Sequence, residues 1–313
     1  MPAARSRPVV SVGHDRWTGL WPDDQAPVDL VVWDLTGPPP ARSPSLVVLP
    51  YENGGEVAVR LHEVPGLEVV QTLTAGYETV LPHVPAGVTL ANAKGVHDAS
   101  TAELTLGLVL ASLRGIGQFA VDALEGRWRY RRRPSLADRR VLVVGVGGLG
   151  SAIAARLQPF EVSLTRVGTR ARVDDHGPVH GVDELARLLP HSDVVILACP
   201  LTDATRGLVD AAFLAAMPDG ALLVNVARGP VVVTAALLAE VSSGRLTAAL
   251  DVTDPEPLPP EHPLWRTPGV LVSPHVGGNS TAFEPRARAL LRDQLTRYAT
   301  GEPLRNVVVA GDR

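Results

Sequence analysis

The stretch that most constrains the fold of this chain is VLVVGVGGLGSAIAARL, residues 141–157. Four consecutive apolar residues read as a buried strand, and SAIAARL reads as the start of a helix. Between them Gly145, Gly147 and Gly150 stand in G-x-G-x-x-G register. The three glycines permit a tight turn, approach of a phosphate to the backbone, and close helix–strand packing. The unpaired N–H groups and positive end of the helix then face an anionic ligand. This strand–glycine–helix context predicts a dinucleotide cradle of Gly145, Gly147, Gly148, Leu149 and Gly150.

The rest of the chain has the same alternation of short β-rich runs and helix-length segments, the pattern of a parallel α/β sheet. PVVSVG, VDLVVWDL, SLVVLPY, LEVVQTLT and VTLAN are the candidate strands before residue 98, with Pro/Gly-rich separators such as TGPPPARSPS. ASTAELTLGLVLASLRGIG then reads as one long helix opened by a capping box of Ser100 and Glu103. After the arginine-rich link EGRWRYRRRPSLADRR a second series begins: VLVVG, EVSLTRV, DVVILAC, ALLVNVA, TAALDV and VLVSPH. Two series imply two doubly wound lobes with a cleft between them, and ligands in such sheets bind beyond the carboxyl ends of the strands.

Composition narrows the classes of function. With 313 residues and a net charge of −4, the chain is long enough for two domains and has no bulk attraction for nucleic acid or acidic membranes. No apolar run approaches the ~20 residues that span a bilayer, and the N-terminus lacks the apolar region of a secretory signal. The single cysteine, Cys199, cannot form an intrachain disulfide. The expectation is a soluble cytoplasmic protein without nucleic-acid or membrane partners. Lys94 is the only lysine among 29 basic residues, which disfavours Schiff-base chemistry.

The stretch SLTRVGTRAR, residues 163–172, carries three arginines and no acid. About 20 positions beyond the first glycine a dinucleotide fold commonly holds a carboxylate for the ribose 2′-hydroxyl. That count falls on Arg166, with Thr169, Arg170 and Arg172 close behind. A guanidinium there can hold a 2′-phosphate through paired charge-assisted bonds. The expectation is NADP(H), held mainly by Arg166 with help from Arg170 or Thr169, and NAD(H) as the alternative cofactor. The plainer reading is a solvated basic loop.

LLVNVARGPVV, ALDVTDPEPLP and LVSPHVGGNS each lie at or just beyond a predicted strand end. They bring one arginine, one glutamate and one histidine to the ligand-facing edge: Arg228, Glu256 and His275. Reduction of a 2-oxo acid needs a hydride and a proton for the new alkoxide, and histidine supplies a proton best near neutral pH. A carboxylate beside the imidazole favours its charged form. An arginine can hold the substrate carboxylate and polarise the carbonyl. Asp251, at its strand tip, is a candidate for the nicotinamide carboxamide. Cys199, Pro200, Thr205, Val226, Ala227, His275, Gly277 and Gly278, near the same strand ends, are further cofactor candidates. Singly, each catalytic candidate could be a surface or turn residue; their joint placement is what favours chemistry.

GVGGLG, NVARG, DVTDPEP and SPHVGGNS, in this order and spacing, resemble the D-isomer-specific 2-hydroxyacid dehydrogenase family, and in particular its glyoxylate/hydroxypyruvate reductase-like branch. The resemblance runs from about QTLTAGYETVLP to GEPLRN. It implies that Arg228, Glu256 and His275 are catalytic, and that the backbone N–H groups of Ala75 and Gly76 meet the substrate carboxylate. It implies a Rossmann cofactor domain, 99–283, inserted into a flavodoxin-like substrate domain, 1–98 with 284–313. A homodimer paired through the cofactor domain is implied as well. Arg166 stands for the family's common ribose aspartate, which points to the NADP-preferring branch, and Glu78 stands for an aspartate in the substrate loop.

The chain is therefore expected to interconvert a small 2-oxo acid and its D-2-hydroxy acid. Two alternatives are a dinucleotide-sensing binding protein or corepressor on the same fold, and a phosphoglycerate dehydrogenase. The short tail after the last helix argues against the added regulatory domain of many phosphoglycerate dehydrogenases. The compact chain also lacks the long flanking segments of corepressors. Arg127, Arg129 and Arg131–Arg133, interleaved with Trp128 and Tyr130, read as an interlobe or dimer-arm segment rather than a nucleic-acid patch. His97 reads as structural, Cys199 as unreactive for want of a base beside it. No histidine spacing resembles a metal site.

Overall fold

The computed structural model of the chain describes residues 7–22 and 25–311. Its contacts divide it into two compact units, Met1–His97 with Thr281–Arg313, and Asp98–Ser280. Strands β1 (Val9–Val12), β2 (Asp29–Val32), β3 (Leu46–Val48), β4 (Val69–Gln71) and β5 (Thr89–Ala91) lie in the first unit. The second holds β6 (Arg140–Val144), β7 (Ser163–Gly168), β8 (Arg172–Asp174), β9 (Gly177–Gly181), β10 (Val194–Leu197), β11 (Leu222–Asn225), β12 (Thr247–Leu250) and β13 (Val270–Val272). A last strand, β14 (Val307–Val309), returns to the first unit. Four helices are used below: α1 (Asp98–Arg114), α2 (Ile116–Leu124), α3 (Gly148–Leu157) and α4 (Phe283–Thr300).

In the first unit the strand order is β14-β5-β4-β3-β1-β2, parallel except where β14 runs against β5. Without β14 this is the 2-1-3-4-5 order of flavodoxin-like sheets. Strand side chains alternate between two cores. Leu46 and Val48 of β3 join Val10 and Val12 in one, while Val47 joins Leu61 and Leu90 in the other. Helix α4 covers the first core because Phe283, Ala287, Leu291 and Leu295 recur on one face and are all buried. Gly301, left-handed at φ 75°, ends it.

In the second unit the order is β13-β12-β11-β10-β6-β7-β9-β8, parallel except for the β8–β9 pair. From β9 through β12 this is the 3-2-1-4-5-6 order of dinucleotide-binding sheets, with β6 as first strand. Leu142 and Val144 of β6 enter one core and Val141 and Val143 the other, as apolar runs covered on both faces should. The strand order reverses between β6 and β10. Crevices for ligands open beyond the carboxyl ends at such a switch point.

Three local expectations change. Helix α1 starts at Asp98, so Ser100, which is buried, and Glu103 lie within the helix rather than at its start as a capping box. Gly115, at φ 67°, breaks the expected single helix, and α2 follows it. The β8–β9 hairpin was not expected; its strands are short, and VDDHGP interrupts any period. The chain passes between units after His97 and after Ser280, against the expected bounds of 98 and 283. Asp98 already belongs to α1, and Phe283 packs on Tyr51 and Trp17, ring centroids 4.3 and 5.9 Å away. Among the described residues no single helix is long and apolar enough to cross a membrane.

Candidate active site

Strand β6 delivers Gly145 at φ 113°, where a Cβ would lie 2.5 Å from the Ala198 backbone. A Cβ on Gly150 would lie 1.9 Å from the Gly145 carbonyl oxygen, so α3 can start this close to the strand only with glycine there. Gly147 differs: a Cβ on it would meet nothing within 4 Å, which leaves its outer side open for a ligand. Gly148 and Leu149 form the first turn of α3, whose N–H groups have no partner within the helix. This cradle fits the pyrophosphate of a dinucleotide.

Cys199 and Pro200 follow β10, and Val226 and Ala227 follow β11, at the carboxyl ends of these strands. Thr205 Oγ1 donates to the Pro200 carbonyl at 2.6 Å and fixes that turn. Burial pushes the Cys199 thiol up to about 11, so it stays protonated and unreactive near neutral pH.

The role expected of Arg166 needs correction. Strand β7 runs on to Gly168, so Arg166 lies two residues inside the strand, and Gly168 holds its tip. The Arg166 side chain is buried, and its Nη1 and Nη2 donate to the two Asp174 oxygens at 3.0 and 2.7 Å. Nη2 also donates to the carbonyls of Gly177 at 2.8 Å and Pro178 at 3.3 Å. A guanidinium tied in this way braces the β8–β9 hairpin and is not presented to a cofactor. At the tip itself stand Gly168, Thr169 and Arg170, with no carboxylate. Arg170 is exposed.

Asp251 directly follows β12 and is buried. Its carboxylate accepts from Ser273 Oγ at 2.6 Å, Val276 N at 3.0 Å and Gly277 N at 2.9 Å. Its carbonyl accepts from His275 N at 2.8 Å. Both carboxylate oxygens accept from the loop 273–277, Oδ2 from a single donor. Asp251 thus shapes that loop, a role the sequence did not show. In the loop His275 is held at φ 52°, a conformation few side chains accept.

His275 Nδ1 and Glu256 Oε1 are 2.5 Å apart. The hydrogen bond to Glu256 raises the imidazole above its ordinary value; partial burial and the charge of Arg228 oppose it. For Glu256 burial acts upward, but the bond and charge of His275, a bond from Thr253 N and the charge of Arg228 bring it below the ordinary carboxylate value. The geometry therefore favours imidazolium beside carboxylate, with Arg228 close enough to act on both. Arg228 enters this region from the turn after β11, which Asn225 shapes: its Oδ1 accepts from Ala227 N and its Nδ2 donates to the Arg228 carbonyl, both at 3.0 Å. Thr234 Oγ1 donates to the Asp254 carbonyl at 2.6 Å and ties the segment that bears Glu256 to the helix after that turn. The structure thus brings Arg228, Asp251, Glu256 and His275 together on loops of one unit. Asn225, Ser273 and Thr234, which hold those loops, carried no sequence signal beyond their place at strand and helix ends.

In the first unit Ala75 and Gly76 lie in the loop after β4. Their carbonyls accept from Asn92 Nδ2 and Thr74 Oγ1, each at 2.7 Å. Neither of their backbone N–H groups donates to another described residue. Glu78 Oε2 accepts from Tyr77 N at 2.9 Å within the same loop. His97 is buried, with Nε2 2.9 Å from the Leu73 carbonyl oxygen and its ring stacked on Phe283. In the basic segment, Arg127 and Arg129 pair with Asp122.

A site that can take up a dinucleotide at one strand tip and hold a protonated histidine at others belongs with the nicotinamide-dependent oxidoreductases. Residues 106–277 match the family described as D-isomer specific 2-hydroxyacid dehydrogenase, NAD binding domain. Glyoxylate reductase/hydroxypyruvate reductase of Mus musculus is 33% identical over 248 residues, 76% of each chain. The chloroplastic/mitochondrial formate dehydrogenase of Arabidopsis thaliana is 28% identical over 307 residues, 92% of this chain and 80% of its own. The crystal structure of a D-isomer specific 2-hydroxyacid dehydrogenase from Xanthobacter autotrophicus Py2 in complex with NADPH and MES superposes with a TM-score of 0.78. It is 30% identical, with 97% of this chain and 98% of that one covered. The chain belongs to the D-isomer-specific 2-hydroxyacid dehydrogenase family, on its glyoxylate/hydroxypyruvate reductase-like branch.

Proposed function

We propose that the chain is a cytoplasmic, homodimeric reductase that uses NADPH to convert a small 2-oxo acid, such as glyoxylate or hydroxypyruvate, to its D-2-hydroxy acid. The observation that carries this reading is the 2.5 Å contact between His275 Nδ1 and Glu256 Oε1. The dinucleotide supplies the hydride. With Nδ1 engaged, His275 offers its proton at Nε2 and passes it to the carbonyl oxygen as that oxygen gains charge. Glu256 keeps the ring charged and oriented, and Arg228 holds the substrate carboxylate and polarises the carbonyl. Carboxylate binding by the N–H groups of Ala75 and Gly76 follows from the family resemblance.

The preference for NADPH rests on the tip of β7, where Gly168 offers no carboxylate and Thr169 and Arg170 follow. A ribose acid would repel a 2′-phosphate. For pairing, Ile116, Phe119, Val121 and Leu124 of α2 are exposed, as are Trp128 and Tyr130 just beyond it. A second copy that covers these side chains accounts for them. A monomer in sedimentation equilibrium overturns the dimer.

The deciding assay follows NADPH and NADH oxidation against glyoxylate, hydroxypyruvate and pyruvate, with NAD⁺-dependent formate oxidation alongside. Turnover of a 2-oxo acid with NADPH, faster than with NADH, is expected. Formate oxidation in its place overturns the substrate class. NADPH binding without any turnover overturns the enzyme reading in favour of a dinucleotide sensor.

A further inference from the structure

The break between α1 and α2 forms one wall of a second cavity in the second unit, with a volume of about 460 Å³. Ser112, Gly117 and Gln118 line it at the break, Arg129, Arg131 and Arg133 on the basic segment, and residues 265–271 on the approach to β13. Thr247, which opens β12, lines it too. The cavity therefore faces the amino ends of the parallel strands β12 and β13, whereas Asp251 and His275 follow their carboxyl ends. Four arginines, with Arg266 as the fourth, share a space of small-molecule size in a chain of net charge −4.

The charges in this cavity do not balance. Among the described residues Asp122 is the one acid in its lining, and its carboxylate is already taken. It accepts from Gln118 Nε2 at 3.0 Å and pairs with Arg127 and Arg129 at 3.2 and 3.7 Å. Arg131, Arg133 and Arg266 pair with no carboxylate among the described residues. Arg133 is also fixed in place. Its guanidinium lies against Gly115, where a Cβ would be 2.9 Å from Cζ and Nε, and over the Phe119 ring at 5.9 Å. Its Nε is buried without a hydrogen-bond partner, as is Ser112 Oγ of the same lining. Helix α2 has no side-chain cap, and the N–H groups of Gly117 and Gln118 donate to no described residue. Three cations without a counter-charge repel one another at a cost that a bound anion removes.

We propose that this cavity binds a small polyanion, one that carries two or more phosphate or carboxylate groups. Arg131 and Arg133 hold it from the basic segment and Arg266 from the opposite wall, through the paired bonds a guanidinium makes to either group. The open N–H groups of α2 add donors at the positive end of that helix. A singly charged ion leaves most of the cationic charge unmet, so the site favours a ligand with several charges. The assignment does not depend on the choice between NADPH and NADH, because the cradle at Gly147 takes no part in it.

Calorimetric titration of pyrophosphate, citrate and inorganic phosphate into the full chain tests this at constant ionic strength. The chain is first saturated with NADPH or NADH, so that the cradle at Gly147 is filled. Saturable binding of pyrophosphate or citrate at one site per chain is expected, tighter than that of inorganic phosphate. Pyrophosphate binding alone makes the ligand a phosphorylated one, and citrate binding alone a polycarboxylate; both support the site. R131Q and R266Q should each weaken the tighter probe by roughly tenfold, the usual loss of a charge-assisted hydrogen bond. Both arginines are exposed, so the thermal midpoint should hold and show that the fold is intact. R187Q removes an exposed arginine of the same unit outside the cavity and should leave the affinity as it was. Absence of saturable binding, or an affinity that R131Q and R266Q leave unmoved, overturns the site. A loss in R187Q equal to theirs shows diffuse attraction and overturns it as well.

Discussion

Two ion pairs sit near strand tips of the same unit, and they differ in what is left over. The side chains of Arg166 and Asp174 are 6% and 29% exposed, those of His275 and Glu256 48% and 39%. Both terminal nitrogens of Arg166 are engaged by Asp174 and by two carbonyls of one hairpin. His275 has one ring nitrogen on Glu256 and the other available to carry a proton. A pair whose bonding sites all face the chain holds structure. One with a proton site beyond its own contact can do chemistry. Charge and position at a strand end look alike in the two cases; the free valence separates them.

The strongest way to break this comparison is to remove the free valence. His275→Ala should lower kcat by about 10²–10⁴-fold, the range for loss of a general acid, while cofactor binding followed by NADPH fluorescence is retained. A variant that keeps near-normal turnover would reduce His275 to the same structural standing as Arg166. A sharper test leaves the imidazole and alters its partner. The hydrogen bond to Glu256 is the largest cause of the raised His275 value. Reduction requires the imidazolium, so kcat/KM falls as pH rises through that value. In Glu256→Gln the alkaline limb of the profile should move to lower pH and the maximal rate should fall. A limb that stays in place assigns the proton to another group.

The same contrast shows what could be read from residues alone. VLVVGVGGLG announced β6, the turn and α3 because each glycine answers a local demand: Gly145 at φ 113° and Gly150 against the Gly145 carbonyl. Arg228, Glu256 and His275 were legible because chemistry needs those side chains and apolar runs mark the strand ends before them. The tip of β7 was not, because the path from α3 to it is irregular. A 3-10 turn at Gln158–Phe160 and a left-handed Glu161 intervene, so counting from Gly145 stopped at Arg166, two residues short of Gly168. That slip kept the same face of the strand and so gave no warning in the pattern. The loop contacts of Asp251 were illegible for a different reason. The groups it holds lie 22 to 26 residues downstream, and no local signal shows that a loop will return to a carboxylate.

The smallest expected effect lies at the closed pair. Asp174 is brought down from 3.8 to about 2, first by its hydrogen bond from Arg166, then by His176 N and nearby positive charge, against a desolvation cost. A carboxyl depressed in the folded chain adds stability that is present above its unfolded value and lost as pH falls through the folded one. The window therefore runs from 3.8 down to about 2. Asp174→Asn should lower the thermal midpoint near neutral pH and flatten its decline across that window; the effect is modest because part of the carboxylate faces water. His275 has the opposite sign: its raised value adds stability below 6.5 that is lost as pH rises through the folded value. Asp174→Asn should therefore leave the alkaline arm of the stability curve as it was. Curves for the unaltered chain and Asp174→Asn that run parallel through the acid window would show that Arg166 does not hold this carboxylate in solution, and the comparison between a closed and an open pair would lose its closed member.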